Sequence, residues 1–456
     1  MNNILTSLPH FHAGELKQVW KIAWPIIITN MLQVTVGIID FKMVGSLGIE
    51  SIAAVGMSRN VMMFIMFIMI AISGGTTVVV AHAFGARNKE KISRTAAGSV
   101  TIMTLTAILL VTPVGLFFSK TILVLLGAEP SVINLGNDYL QILFAGCLFH
   151  MFNFAVNGIL LGVSKTRVTL HILLIVNLLN ILFNYIFIFG KGPFPAMGVS
   201  GAALGTIIAR CIGSVIGLWI LFSPRYPVCM KARDLFRVDF SLLKKILYLG
   251  GPRSVQSIIR NFSQLFMMRV ITLLPESTRA ISAYSVAMQV RMTSSFVGLA
   301  FMNAAMSRVG QNMGAQKPEL AEKSGWLAAG MASAIMTVIA ICFFLFPAAI
   351  MSFFTDDTSA IQMGKTFFMI IAVTEPIMAF SYALGGSLRG GGDSLSPLIY
   401  SSVSDLVVVI VCGYIMAITL NLGFAGIAIG IAVSSITRAV PTSWKFKQGK
   451  WKRNRI

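Results

Sequence analysis

Charge is scarce in this sequence. Only 11% of its 456 residues are Asp, Glu, Lys or Arg, against roughly 25% in ordinary soluble domains, and just 16 of them are acids. A soluble globule of this length has too much surface to cover with so few charges, so that class is excluded. Cysteine is equally sparse. Cys147, Cys211, Cys229, Cys342 and Cys412 are far apart, with no paired spacing, which argues against both a disulfide framework and a metal site. The five histidines form no ligand group either: His10 and His12 lie in a polar N-terminal arm, and His82, His150 and His171 stand alone. No Ser-His pair, paired carboxylate or metal set is present, so no enzyme, metal or organic cofactor is expected. Soluble stretches are missing as well. With 56% hydrophobic residues and a mean hydropathy of +0.82, apolar runs of about 20 residues, each long enough to cross a bilayer, recur along the whole chain.

The first run, Ile22 to Phe41, is too long for a signal peptide and contains Asn30, Gln33 and Asp40, so it reads as a retained first helix. Twelve helices are predicted, near 20–44, 52–80, 95–118, 138–162, 168–190, 198–222, 249–274, 282–307, 325–350, 366–388, 397–420 and 423–443. The expected fold class is therefore an all-α membrane protein with twelve transmembrane helices. Basic residues collect in alternate loops: Arg87 to Arg94, Lys165 and Arg167, Arg225 to Lys245, Lys317, Lys323 and Arg389, then the tail from Lys445 to Arg455. By the positive-inside rule both termini face the cytoplasm. The net charge of +20 borders spans and would meet anionic lipid first, so no nucleic-acid partner is expected.

The two halves repeat at an offset of roughly 225 to 229 residues. Pro25 matches Pro252, Ala54–Val61 matches Ala283–Val290, Gly85-Ala86 matches Gly314-Ala315, and Gly162 matches Gly390. Gly198, Gly201 and Gly205 recur as Gly423, Gly426 and Gly430. Six spans per half is an even number, so the repeats run parallel, as two lobes related by a pseudo-two-fold axis along the membrane normal. The expected layout is an arm at 1–19, an N-lobe at 20–222, a cytoplasmic connector at 223–245, a C-lobe at 246–443 and a basic tail at 444–456. The glycine runs read first as sites of close helix packing, and Gly390-Gly391-Gly392-Asp393 reads as a tight turn, since it lacks the ending of a phosphate loop.

Three carboxylates fall within predicted spans: Asp40, Glu375 and Asp405. An intramembrane acid is costly, so each is a functional candidate. Asn30, Gln33, Gly37 and Asp40 share one face of helix one. Helix five offers Asn177, Asn180 and Asn184, helix four Asn153 and Asn157, and helix six Thr206. Either these amides line a wet cavity with Asp40 or they bond helix to helix. Arg253, Arg260 and Arg269 on helix seven and Arg291 on helix eight should pair with Asp405 or Glu375, or line water, and they could also attract an anionic group.

These residues resemble the multidrug and toxic compound extrusion family over nearly the whole chain, and within it the DinF-like branch. The resemblance rests on Trp24-Pro25, Asp40, Val44-Gly45-Ser46-Leu47-Gly48, Ala53-Ala54-Val55-Gly56, Ala83-Phe84-Gly85-Ala86, Asn157-Gly158-Ile159-Leu160-Leu161-Gly162 and Gly386-Ser387-Leu388-Arg389-Gly390. It implies an efflux antiporter exchanging protons or sodium for amphipathic, often cationic compounds, with Asp40 as coupling carboxylate and Pro25 as the bending point of helix one. Gln33, Asn153, Asn157, Asn180, Asn184 and Thr206 would line the N-lobe cavity. Many relatives have an Asp where Asn184 stands, so a sodium site at Asp40, Asn180, Asn184 and Thr206 would lose a formal charge. Arg260 and Met378 occupy the positions at which the NorM-like branch carries C-lobe acids. The same resemblance leaves a lipid-linked precursor flippase as the alternative. Expected partners are small amphipathic substrates and membrane lipids, and the chain is expected to act as a monomer in a bacterial-type inner membrane.

Overall fold

The computed structural model describes residues 13–235, 239–454 and 456. His10, His12, Arg237 and Arg455 lie outside the described residues. Among the described residues the chain is helical, with no strand. That is what hydrocarbon demands, since each backbone N–H there must find its acceptor within its own segment.

Among the described residues twelve long helical segments follow in order, with short helices at Ala232–Leu235 and Pro347–Ser352 between them. The first six are helix one (Ala13–Gly45), two (Ile49–Gly85), three (Lys89–Leu125), four (Pro130–Ala145 with Cys147–Gly162), five (Thr166–Phe189) and six (Gly198–Phe222). Then come seven (Phe240–Ile271), eight (Ser277–Gly314), nine (Pro318–Leu345), ten (Thr358–Ala372 with Glu375–Gly390), eleven (Leu395–Thr419) and twelve (Gly423–Gln448). Eight of these are long and apolar enough to span a membrane, and the two bent pairs bring the number to ten. Helices seven and eight fall short because of their cations, among them Arg253, Arg260 and Arg269 on the former and Arg279, Arg291 and Arg308 on the latter.

Several helices outrun their predicted ends. Helix one starts at Ala13, inside the expected arm, and helix seven starts at Phe240, inside the expected connector. Hydropathy registers only the apolar stretch, whereas a helix continues through its charged flanks. The tail is also folded rather than free: helix twelve runs to Gln448 and a 3-10 turn spans Lys450–Arg453.

The repeat is written into the backbone. Helix four bends by 49° at Gly146 and helix ten by 52° between Ala372 and Glu375. In helix ten the cause is Pro376, which lacks an N–H and crowds the carbonyl four residues earlier. Left-handed turn residues recur at the same offset: Gly48 and Glu276, Arg87 and Gln316, Ser164 and Gly392, Gly198 and Gly423. Gly392, with φ +86°, closes the expected turn after helix ten, and the Asp393 carboxylate caps the next helix through Ser396 N at 3.0 Å and Ser396 Oγ at 2.7 Å.

The chain divides into two compact units, one of Ile28–Ser254 and one of Met1–Ile27 together with Val255–Ile456. Helices one and seven therefore change unit in mid-course, two residues after Pro25 and two after Pro252. In the second unit the start of helix one is held by Glu15. Its carboxylate accepts from both Nε (2.8 Å) and Nη2 of Arg308 and from Ser324 Oγ at 2.9 Å. In the first unit the start of helix seven lies against helix two so closely that a Cβ on Gly75 would meet the Ile246 carbonyl, and one on Gly250 the Ala71 carbonyl.

In the second unit Trp451 folds back over helix twelve. It is 1% exposed, stacks on Phe446 at 4.9 Å and donates its Nε1 proton to the Phe446 carbonyl at 2.9 Å. Next to it Lys452 pairs with Glu322 at 2.6 Å and Glu319 at 3.1 Å. Partial burial works against the Lys452 ammonium, but the two carboxylates outweigh it and hold its pKa above the usual lysine range. Trp451→Ala should destabilise the protein by roughly 3–5 kcal/mol, as for other buried aromatic truncations. Trp444→Ala, at a position 66% exposed, should shift it by less than about 0.5 kcal/mol. Thermal unfolding of both variants in detergent checks this; equal midpoints would show that the tail does not hold the fold.

Candidate functional site

The first unit gathers a polar cluster at Asp40. Asparagines three and four residues apart share one face of helix five, and Asn180 and Asn184 on that face are buried. Helix six comes close enough to meet them because Gly205 has no side chain: a Cβ there would strike Asn184. Asn184 donates its Nδ2 proton to Asp40 Oδ1 at 2.9 Å.

Asn180 completes the cluster. With its nitrogen toward helix one it donates to both Asp40 oxygens at 3.2 Å, while its oxygen accepts from Thr206 Oγ1 at 3.0 Å. This arrangement suits an ionised Asp40, which only accepts.

A fifth member is Arg210, one turn beyond Thr206, whose guanidinium lies within electrostatic reach of Asp40 and Tyr139. Absent from the residues expected at this site, it is marked in the sequence as the lone charge of the 25-residue apolar helix Gly198–Phe222.

Other expected cavity residues lie apart from this cluster. Asn153 binds helix to helix, donating to the Phe149 carbonyl at 2.8 Å, the Arg210 carbonyl at 2.9 Å and Ser214 Oγ at 3.0 Å. Gln33 and Asn157 are exposed. Asn177 keeps a buried Nδ2 with no hydrogen-bond partner among the described residues. Pro25 is buried in helix one.

The second unit buries two ion pairs. Glu375, fully buried, accepts from Arg291 Nε at 2.6 Å. Asp405 pairs with Arg438 of helix twelve, a partner the sequence reading did not consider when it offered Asp405 to the helix-seven arginines. Arg269 is exposed and reaches Thr272 at 3.5 Å. Arg253 packs against Gly74 in the first unit. Among the described residues no group of three or more His, Cys, Asp or Glu is placed to hold a metal.

Long apolar helices in two repeats make this a multi-pass membrane protein, and its fold is that of transporters. A profile of the MatE family matches residues 25–186 and 252–415, so the chain belongs to that family. It is 27% identical over 455 residues to a probable multidrug resistance protein NorM of Thermotoga maritima, covering 98% of this chain and 96% of that one. It is 24% identical to an uncharacterized transporter, YisQ, of Bacillus subtilis, covering 96% of each. Among solved structures it resembles a multidrug resistance MATE family transporter of the MOP superfamily in an outward-facing conformation, with TM-score 0.88, 24% identity and 97% of both chains covered. It also resembles a MATE structure in the straight conformation, with TM-score 0.87, 25% identity and 96% and 95% covered.

Removing one member of a buried ion pair strands the other. Asp405→Asn should therefore cost roughly 3–5 kcal/mol, and Asp405→Asn with Arg438→Met should recover most of it. Thermal unfolding of the single and double variants tests this, and an Asp405→Asn protein as stable as wild type would mean that water reaches Arg438.

Proposed function

We propose that this protein is a secondary active efflux antiporter that exchanges extracellular protons for amphipathic, often cationic compounds by alternating access, with Asp40 as the group that both use. The observation that carries this reading is the cluster around Asp40, where the amides of Asn180 and Asn184, with Thr206 behind Asn180, meet the carboxyl in place of a paired cation. A carboxyl removed from water favours its neutral form. Proton uptake from outside makes the carboxyl a donor, which no longer matches the amide protons of Asn180 and Asn184, and cancels the charge that held a cationic substrate. Pro25 gives helix one a place to bend as its Asp40 end repacks. Gln33, Asn157 and Asn177 belong to the wider N-lobe cavity in this reading, with Asn153 fastening helix four to helix six beside it.

Sodium is the weaker coupling ion. A site made of Asp40, Asn180, Asn184 and Thr206 offers one formal negative charge, and the Arg210 guanidinium acts on that same charge. A proton binds covalently to the carboxyl and tolerates such a neighbour better than a bare cation does. The basic loops support an inner-membrane location with both termini cytoplasmic. One chain holds both repeats, which supports a monomer.

In proteoliposomes an imposed pH gradient should drive dye efflux and an imposed sodium gradient should not. Asp40→Asn should lower the pH-driven rate at least about a hundredfold, the range in which loss of an essential proton-transfer group falls. Asn180→Leu, which removes its hydrogen bonds to Asp40 and Thr206, should also slow exchange, whereas Thr337→Ala, at an exposed position of helix nine in the other unit, should change it by less than about threefold. Proton-driven exchange by Asp40→Asn at the wild-type rate would end this proposal.

A further inference from the structure

The charges grouped around Tyr382 in the second unit do not balance. Arg291 is matched by Glu375 and Arg438 by Asp405, but Arg260 has no carboxylate partner among the described residues. It stands near the middle of the apolar part of helix seven, where an arginine facing only hydrocarbon is expensive, and its side chain is exposed. The Tyr382 hydroxyl lies within electrostatic reach of Arg260, Arg291 and Arg438 together, with Asp405 as the acid in the group. The Arg438 guanidinium lies over the Tyr382 ring at 5.5 Å and keeps a buried Nε with no hydrogen-bond partner, although the residue is only 9% exposed. Three guanidinium groups against two carboxylates leave one positive charge in this group, and the Tyr382 hydroxyl, within electrostatic reach of it, can donate.

We propose that Arg260 and Tyr382, with Arg438 behind them, form a binding site for the anionic group of an amphiphile: a carboxylate, sulfonate or phosphate. Arg260 supplies the open charge and its planar fork of donors, which fits such oxygens two at a time. Tyr382 supplies an O–H donor, and its ring keeps Arg438 in place. The inference rests on the transporter reading only in taking the anion as cargo or as lipid; it widens the substrate class beyond cations and leaves the role of Asp40 as stated. A lipid headgroup and a free amphiphile share this chemistry.

Equilibrium binding separates them. Wild type and Arg260→Gln, Arg260→Lys and Arg269→Gln variants are placed in phosphatidylcholine nanodiscs and titrated with a fluorescent single-chain sulfonate and with its uncharged methyl ester. Wild type should bind the sulfonate about tenfold tighter than the ester. Arg260→Gln should erase that preference, Arg260→Lys should keep part of it, and Arg269→Gln should leave it intact. Repeating the titration with about one-fifth phosphatidylglycerol identifies the occupant. Displacement of the probe from wild type but not from Arg260→Gln marks a lipid headgroup, and undiminished probe binding marks a free solute. Equal binding of both probes by wild type, or an unchanged preference in Arg260→Gln, overturns the proposal. No gradient is imposed, so the result stands apart from proton coupling: failure of cationic dye exchange by wild type would defeat the efflux reading and leave the anion site in place.

Discussion

Charge within hydrocarbon costs so much that its partners largely decide how such a protein is assembled. Glu375 tolerates complete burial because Arg291 is there, and Asp405 because Arg438 is. Each pair joins helices that are distant in sequence, so the cost of burying charge fixes which helices are neighbours in the second unit. At Asp40 the same cost is met differently, with amides and a hydroxyl taking most of the work and Arg210 acting from the side. A carboxylate held by neutral dipoles is easier to neutralise than one locked to a guanidinium. That difference separates a group suited to exchanging a proton from two groups suited to holding a fold.

Glycine is the second constraint. Gly205 lets helix six approach Asn184, and Gly430 in the other repeat lies against Gly413. Without the approach at Gly205, helix six could not bring Thr206 within hydrogen-bond distance of Asn180.

Much of this was legible in the sequence. Twelve apolar runs and their repeat gave the helices, because hydrocarbon leaves the backbone little alternative. Asp40, Asn180, Asn184 and Thr206 were legible because three-and-four spacing on a helix fixes a shared face before any tertiary contact is known. Asn153 looked the same by that rule and turned out to bond helix to helix, since spacing says which residues share a face but not what that face meets. Partners across helices were harder to read. Arg438 lies toward the end of helix twelve and resembled a flanking charge, and Arg210 was hidden in a segment notable for its glycines. Helix ends were missed in one direction, at Ala13, Phe240 and Gln448, because charged turns remain helical after the apolar signal stops.

Helices one and seven each begin in one compact unit and finish in the other. As the chain is made, the first turns of helix one have no place to dock until Arg308 and Ser324 exist, almost three hundred residues later. Helix two, in turn, keeps a bare glycine seam at Gly75 until helix seven arrives to cover it. The first half of the molecule therefore cannot mature as an independent folding unit, and long-range pairing of this kind postpones final packing to the end of synthesis. A ribosome stalled midway would leave in the membrane six helices with one end of their first helix unanchored.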